Sequence, residues 1–134
     1  MEKPDNLILI IFGATGDLTS RKLIPAIFSL KEQNLLPERF ALVGSGRTEI
    51  TSDIFRQMME KSIIEYSEEK IQSGERITKF TANITYKRIV YDNPHDYIDL
   101  RRHISEIENS FNIGDNLIFY MATPPSLYEV IATN

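Results

Sequence analysis

Apolar residues run unbroken from Leu7 to Phe12 and stop at Gly13. A continuous run of that length predicts a strand buried on both faces. Beyond the glycines the period changes. From Thr19 to Glu32, Leu23, Ile27 and Leu30 share one helical face with Phe28 beside it, and Pro25 either kinks the helix or marks a short first turn. Asn34 to Pro37 reads as a loop. Phe40 to Val43 predicts a second strand, ended by Gly44-Ser45-Gly46. Ser52 or Asp53 caps a helix whose apolar positions are Phe55, Met59, Ile63 and Tyr66. Ser67 to Ala82 is expected to be helical, with a break near Ser73-Gly74. Ile84 to Tyr91 alternates as a third strand. Asn93-Pro94 pairs an N-cap with a first-turn proline, ahead of the stripe Tyr97, Leu100, Ile104, Ile107 and Phe111. Gly114-Asp115 turns the chain, Leu117 to Ala122 forms a fourth strand, and Ser126-x-x-Glu129 reads as a capping box.

Strands and helices therefore alternate. That order predicts an α/β fold, a Rossmann-like doubly wound parallel sheet with helices on both faces. Right-handed crossovers leave few topologies, and strand order 3-2-1-4 is expected. The sheet is expected to be truncated after its fourth strand, as a domain cut from a longer protein would be. Residues 1–134 are read as one domain.

Composition narrows the chemistry. A net charge of −4 lacks the basic face that a nucleic-acid platform needs. With no cysteine, disulfides, thiolate nucleophiles and zinc–thiolate sites are excluded, and a reducing cytoplasm is the expected setting. No apolar run approaches the roughly 20 residues of a membrane span, so no membrane partner is expected. His95 and His103 neighbour no triad arrangement, and no metal spacing appears.

The candidate chemistry sits where the first strand meets the first helix. Gly13 suits a sharp turn, and Gly16 lets a pyrophosphate approach the backbone where a Cβ would block it. The opening helix then presents free amides and the positive end of its dipole to phosphate. The spacing is G-x-x-G rather than G-x-G-x-x-G, so the pair alone is equally a plain turn. Asp17 is placed to cap the helix or shape the loop. Ser20, Arg21 and Lys22 lie in its first turns. At the end of the second strand, where a domain binding NAD usually carries an acid, stands Arg47, a planar cation suited to a 2′-phosphate. The Met121–Pro125 loop is expected to flank the same crevice.

Several segments together resemble the glucose-6-phosphate dehydrogenase family. Phe12-Gly13-Ala14-Thr15-Gly16-Asp17-Leu18 with Arg21-Lys22-Leu23 and Pro25 is similar to its coenzyme loop and first helix. Leu35-Leu36-Pro37, Val43-Gly44-x-x-Arg47, Tyr91-Asp92 with Tyr97, and Leu117 to Pro125 with Tyr128-Glu129 match later segments in order. The resemblance implies NADP as cofactor, held by Gly13, Ala14, Thr15, Gly16, Asp17, Leu18, Thr19, Ser20, Arg47, Tyr91 and Ala122. It implies that Lys22 faces the phosphate of the substrate, glucose 6-phosphate, and that hydride leaves C1 to give the 6-phosphogluconolactone. It also implies a homo-oligomer in the full-length protein, built through a second β+α domain. The family's histidine base falls in segments expected beyond residue 134, so this stretch is expected to bind coenzyme without turnover. A non-catalytic NADPH-binding sensor is the alternative. Three positions depart from the family pattern: Thr19 stands where alanine is common, Ser20 where a basic residue is frequent, and Gly46 where alanine is frequent.

Overall fold

In a computed structural model, which describes residues 6–67, 74–113, 116–123 and 125–133, four strands form one parallel sheet. They are β1 (Leu7–Phe12), β2 (Phe40–Gly46), β3 (Ile84–Arg88) and β4 (Leu117–Met121), in the order β3-β2-β1-β4. That is the expected 3-2-1-4 order, with β1 central.

Strand periodicity builds the two cores. Ile8, Ile10 and Phe12 face one side of β1, and Leu7, Leu9 and Ile11 face the other. On β2, Ala41 and Val43 share the first side, and Phe40 and Leu42 the second. Helices α1 (Ile24–Glu32), α2 (Ser52–Tyr66) and α3 (Gly74–Thr81) cover the second side with Phe28, Phe55, Met59 and Phe80. On the first side, α4 (Pro94–Ser110) and α5 (Tyr128–Thr133) bring Tyr97, Leu100, Ile104 and Ile131. β4 lies at a sheet edge and leaves Ile118, Phe119 and Tyr120 exposed.

Several boundaries differ from expectation, each for a local reason. The helix expected over Thr19–Glu32 divides into a π-helical turn, Thr19–Leu23, and α1. Pro25 lies in the first turn of α1, has no amide, and would crowd the carbonyl four residues back in an unbroken α-helix; the wider turn relieves this. β2 continues through Gly44-Ser45-Gly46, because the Ser45 carbonyl accepts from Gly13 and Ala14 and the Gly46 carbonyl accepts from Ile89. β3 ends at Arg88 rather than Tyr91: the Val90 amide leaves the ladder and donates to the Asp96 carboxylate, 2.7 Å away. β4 stops at Met121, one residue short of Ala122. Thr51, not Ser52 or Asp53, caps α2, its Oγ1 accepting from the Ile54 amide at 3.2 Å. Asn93 caps α4 as expected, with Pro94 in the first turn. Ser126 sits inside a 3-10 turn, Pro125–Leu127, so the expected capping box does not open α5. Helix α2 ends at Tyr66, and Ser67 is extended. The expected break near Ser73 and the Gly114-Asp115 turn lie wholly or partly outside the described residues.

Candidate functional site

The glycine turn sits at the carboxyl end of β1, where open parallel sheets bind ligands. Gly13 has φ +79°, a left-handed conformation that favours glycine. A Cβ there would lie 2.8 Å from the Ala122 carbonyl oxygen and 2.9 Å from Thr123 Cγ2. The turn is therefore wedged against the end of β4. It is held by the Gly13 and Ala14 amides, which donate to the Ser45 carbonyl at 2.9 and 3.1 Å, and by the Ala122 amide, which donates to Phe12. Gly16 closes the turn by donating to the Gly13 carbonyl at 3.1 Å, and its own face is exposed.

The predicted loop residues divide between lining and support. Gly16, Asp17 and Leu18 are exposed at the helix opening, where first-turn amides lack intrahelical acceptors. Asp17 does not cap that helix; its carboxylate accepts from Arg21 Nε at 3.0 Å, and the Arg21 guanidinium lies over the Tyr66 ring. That partner holds the Arg21 pKa above its usual value. Ala14 and Thr19 are fully buried. The threonine is tolerated where a small residue was expected because its Oγ1 donates to the Gly13 carbonyl at 3.3 Å. Ser20 faces away from the loop, its hydroxyl sharing a 2.7 Å hydrogen bond with Ser62 of α2. Lys22 is exposed and joins no ion pair among the described residues.

Arg47 is exposed just past the end of β2, and Glu49, the nearest acid along the chain, is exposed further into the loop. Beneath it lie two tyrosines. The hydroxyls of Tyr86 and Tyr91 stand 3.3 and 3.7 Å from where a Gly46 Cβ would be, so the glycine leaves them room. Burial pushes the Tyr86 phenol up to about 12, helped by Tyr91 and opposed by the charge of Arg88. Burial also raises Tyr91, against the Gly13 backbone and the Arg47 charge. Tyr91 thus lies within electrostatic reach of both the glycine turn and Arg47. Tyr97 holds it from below by donating to its carbonyl at 2.8 Å.

Sequence reasoning missed three members of this rim. Tyr86 donates to the Thr48 carbonyl at 2.8 Å, Thr48 bonds Thr15 across the crevice, and Arg88 Nε donates to the Arg47 carbonyl at 3.1 Å. The alternating apolar face of β3 was a signal for Tyr86; Thr48 and Arg88 carried none. On the β4 side, Thr123 Oγ1 is buried beside Gly13 without a hydrogen-bond partner among the described residues. The two histidines stand apart from the rim: His95 is exposed near Asp99, and His103 bonds Thr85 at 2.8 Å.

An open backbone at Gly16, an exposed arginine past β2 and an orphaned hydroxyl beside the turn fit an anionic dinucleotide. The fold and this turn define a dinucleotide-binding domain of the doubly wound class. Residues 10–134 match the family described as "Glucose-6-phosphate dehydrogenase, NAD binding domain". The chain is 38% identical over 126 residues to the glucose-6-phosphate 1-dehydrogenase of Treponema pallidum (strain Nichols), covering 94% of this chain and 24% of that protein. It is 36% identical over 129 residues to the enzyme of the same name from Aggregatibacter actinomycetemcomitans, covering 96% and 26%. In fold, a solved glucose-6-phosphate dehydrogenase in complex with its substrate glucose-6-phosphate matches with a TM-score of 0.86 at 24% identity, covering 99% of this chain and 27% of that one. The chain belongs to the glucose-6-phosphate dehydrogenase family, and it spans about a quarter of the length of these curated relatives.

Proposed function

We propose that residues 1–134 supply the coenzyme-binding domain of an enzyme that oxidises glucose 6-phosphate at C1 to 6-phosphogluconolactone, with NADP rather than NAD as hydride acceptor. The observation that carries the coenzyme choice is Arg47, exposed directly after β2 where no acid occupies the strand end. NAD-binding sheets use an acid there for the ribose 2′-hydroxyl; a guanidinium suits the 2′-phosphate instead.

In this reading the backbone from Gly13 to Leu18 holds the pyrophosphate, with Ala14 and Thr19 fixing the turn from inside. Arg47 holds the 2′-phosphate, and Tyr91 and Ala122 brace the two sides of the crevice. Lys22 reaches toward the phosphate of glucose 6-phosphate. Ser20 acts on the loop through Ser62 of α2. The bound coenzyme supplies the hydride acceptor. No residue of 1–134 is assigned the proton transfer. A reducing cytoplasm suits a chain without cysteine, and assembly into a homo-oligomer belongs to the full-length protein.

Parallel titrations with NADP and NAD test the reading. NADP should bind more tightly, and Arg47→Ala should weaken NADP about ten- to a hundredfold while barely changing NAD. Equal weakening of both coenzymes removes the assignment of Arg47.

A further inference from the structure

Arg47 is not the only cation at the end of the sheet. Arg88 closes β3, in parallel register with Gly46, and is exposed. Its Nε donates to the Arg47 carbonyl at 3.1 Å, so the Arg88 side chain lies on the backbone of the very residue assigned to the 2′-phosphate. Neither guanidinium has a carboxylate within ion-pair distance among the described residues.

Two tyrosines lie between them and the glycine at the end of β2. The Tyr86 and Tyr91 hydroxyls both border the space over Gly46. Arg88 acts electrostatically on Tyr86, and Arg47 acts on Tyr91. Two like charges held on neighbouring strand ends repel, and among the described residues no carboxylate pairs with either. A phosphate monoester offsets both, since it carries close to two negative charges near neutral pH.

We propose that Arg88 is a second cation for the 2′-phosphate of the coenzyme, completing with Arg47 a two-guanidinium clamp. This rests on the coenzyme reading above and extends it to a residue on a different strand. The Nε bond to the Arg47 carbonyl fixes the Arg88 side chain and leaves both terminal Nη groups to donate. A donor already held in place loses less freedom when the ligand arrives. The clamp also explains discrimination: with NAD the two charges stay unneutralised.

The test uses the full chain, titrated with adenosine 2′,5′-bisphosphate and with 5′-AMP, which differ only in the 2′-phosphate. The proteins are the wild type, Arg88→Ala, Arg88→Lys and Arg47→Ala, each checked for a native circular dichroism spectrum. Arg88→Ala should lower affinity for the bisphosphate about tenfold and leave 5′-AMP unchanged. Arg88→Lys keeps the charge but loses the anchored fork, so it should fall between the two. If the wild type binds both ligands alike, the 2′-phosphate reading fails, and the clamp with it. If the wild type prefers the bisphosphate and Arg88→Ala keeps the full preference, only the clamp is overturned. Equal weakening of both ligands by Arg88→Ala means an adenine contact, and that also overturns it.

Discussion

Thr15 and Thr48 are 33 residues apart in the chain, and their side-chain oxygens lie 3.0 Å apart, joining the glycine turn to the loop that carries Arg47. Thr48 is in turn fixed through its carbonyl by Tyr86. The two loops are therefore one hydrogen-bonded unit anchored on β3.

This coupling is measurable. Thr15→Val and Thr48→Val each remove the same bond, so either variant alone should weaken NADP binding about as much as the two together. A double-mutant cycle on NADP affinity should show a coupling of about 0.5–1.5 kcal/mol, the net worth of one such bond. Strict additivity would mean that the two loops respond to coenzyme independently.

The two glycines of the turn should behave differently. Gly13 has φ +79°, and a Cβ there meets the Ala122 carbonyl at 2.8 Å. Gly13→Ala should therefore cost about 1–3 kcal/mol or more in urea unfolding. Gly16 has no positive φ, and its added Cβ would meet only the Gly13 carbonyl, at 3.2 Å. Gly16→Ala should leave the urea midpoint nearly in place yet weaken coenzyme binding. An unaltered affinity would reduce Gly16 to a plain turn residue.

Acid sensitivity should trace to His103. It joins α4 to β3 through Thr85 and faces Lys87 and Glu106. Burial, with Lys87 adding to it and Glu106 opposing, lowers its pKa below the ordinary 6.5. The unfolded chain then binds a proton that the folded chain resists. The stability from neutral His103 is complete above 6.5 and is lost as pH falls from there through the lowered folded value. Melting temperature should drop as pH falls from 6.5 through the lowered folded value, and His103→Gln, which keeps a polar partner for Thr85 but does not titrate, should flatten that slope. An unchanged slope would place the sensitivity elsewhere.

The sheet was legible because its period is unambiguous: Ile8, Ile10 and Phe12 alternate with Leu7, Leu9 and Ile11, and the strand order follows from handedness. Element ends were less legible, because side chains distant in sequence decide them. Asp96 takes the Val90 amide out of β3, and Gly13 and Ala14 extend β2 through Ser45. The site divides the same way. Gly13, Gly16 and Arg47 announce themselves by residue type at a strand end. Thr48, Tyr86 and Arg88 matter only because β2 and β3 are neighbours, which no local pattern records. Ser20 shows the reverse: a plausible position in the first helical turn whose hydroxyl is taken by Ser62, 42 residues away.

Thr123 offers a test in which stability and binding move in opposite directions. Its hydroxyl is buried beside Gly13 and has no partner among the described residues, a state that costs the folded chain the desolvation of that group. Thr123→Val keeps the shape and removes the polar atom. Without coenzyme the variant should be more stable than the wild type by about 1 kcal/mol, the low end of what an unsatisfied buried hydroxyl costs. With coenzyme the order should reverse if the hydroxyl is there to meet the ligand, because the wild type gains a hydrogen bond that valine cannot make. Ligand binding adds stability in proportion to the logarithm of its concentration over Kd, so the melting-temperature rise with saturating NADP should be smaller for Thr123→Val. Thr123→Ser, which keeps the hydroxyl, should retain more of the wild-type rise. If valine stabilises the chain and leaves the NADP-induced rise intact, the hydroxyl has no part in binding; if valine destabilises the chain without coenzyme, Thr123 has a partner inside the fold.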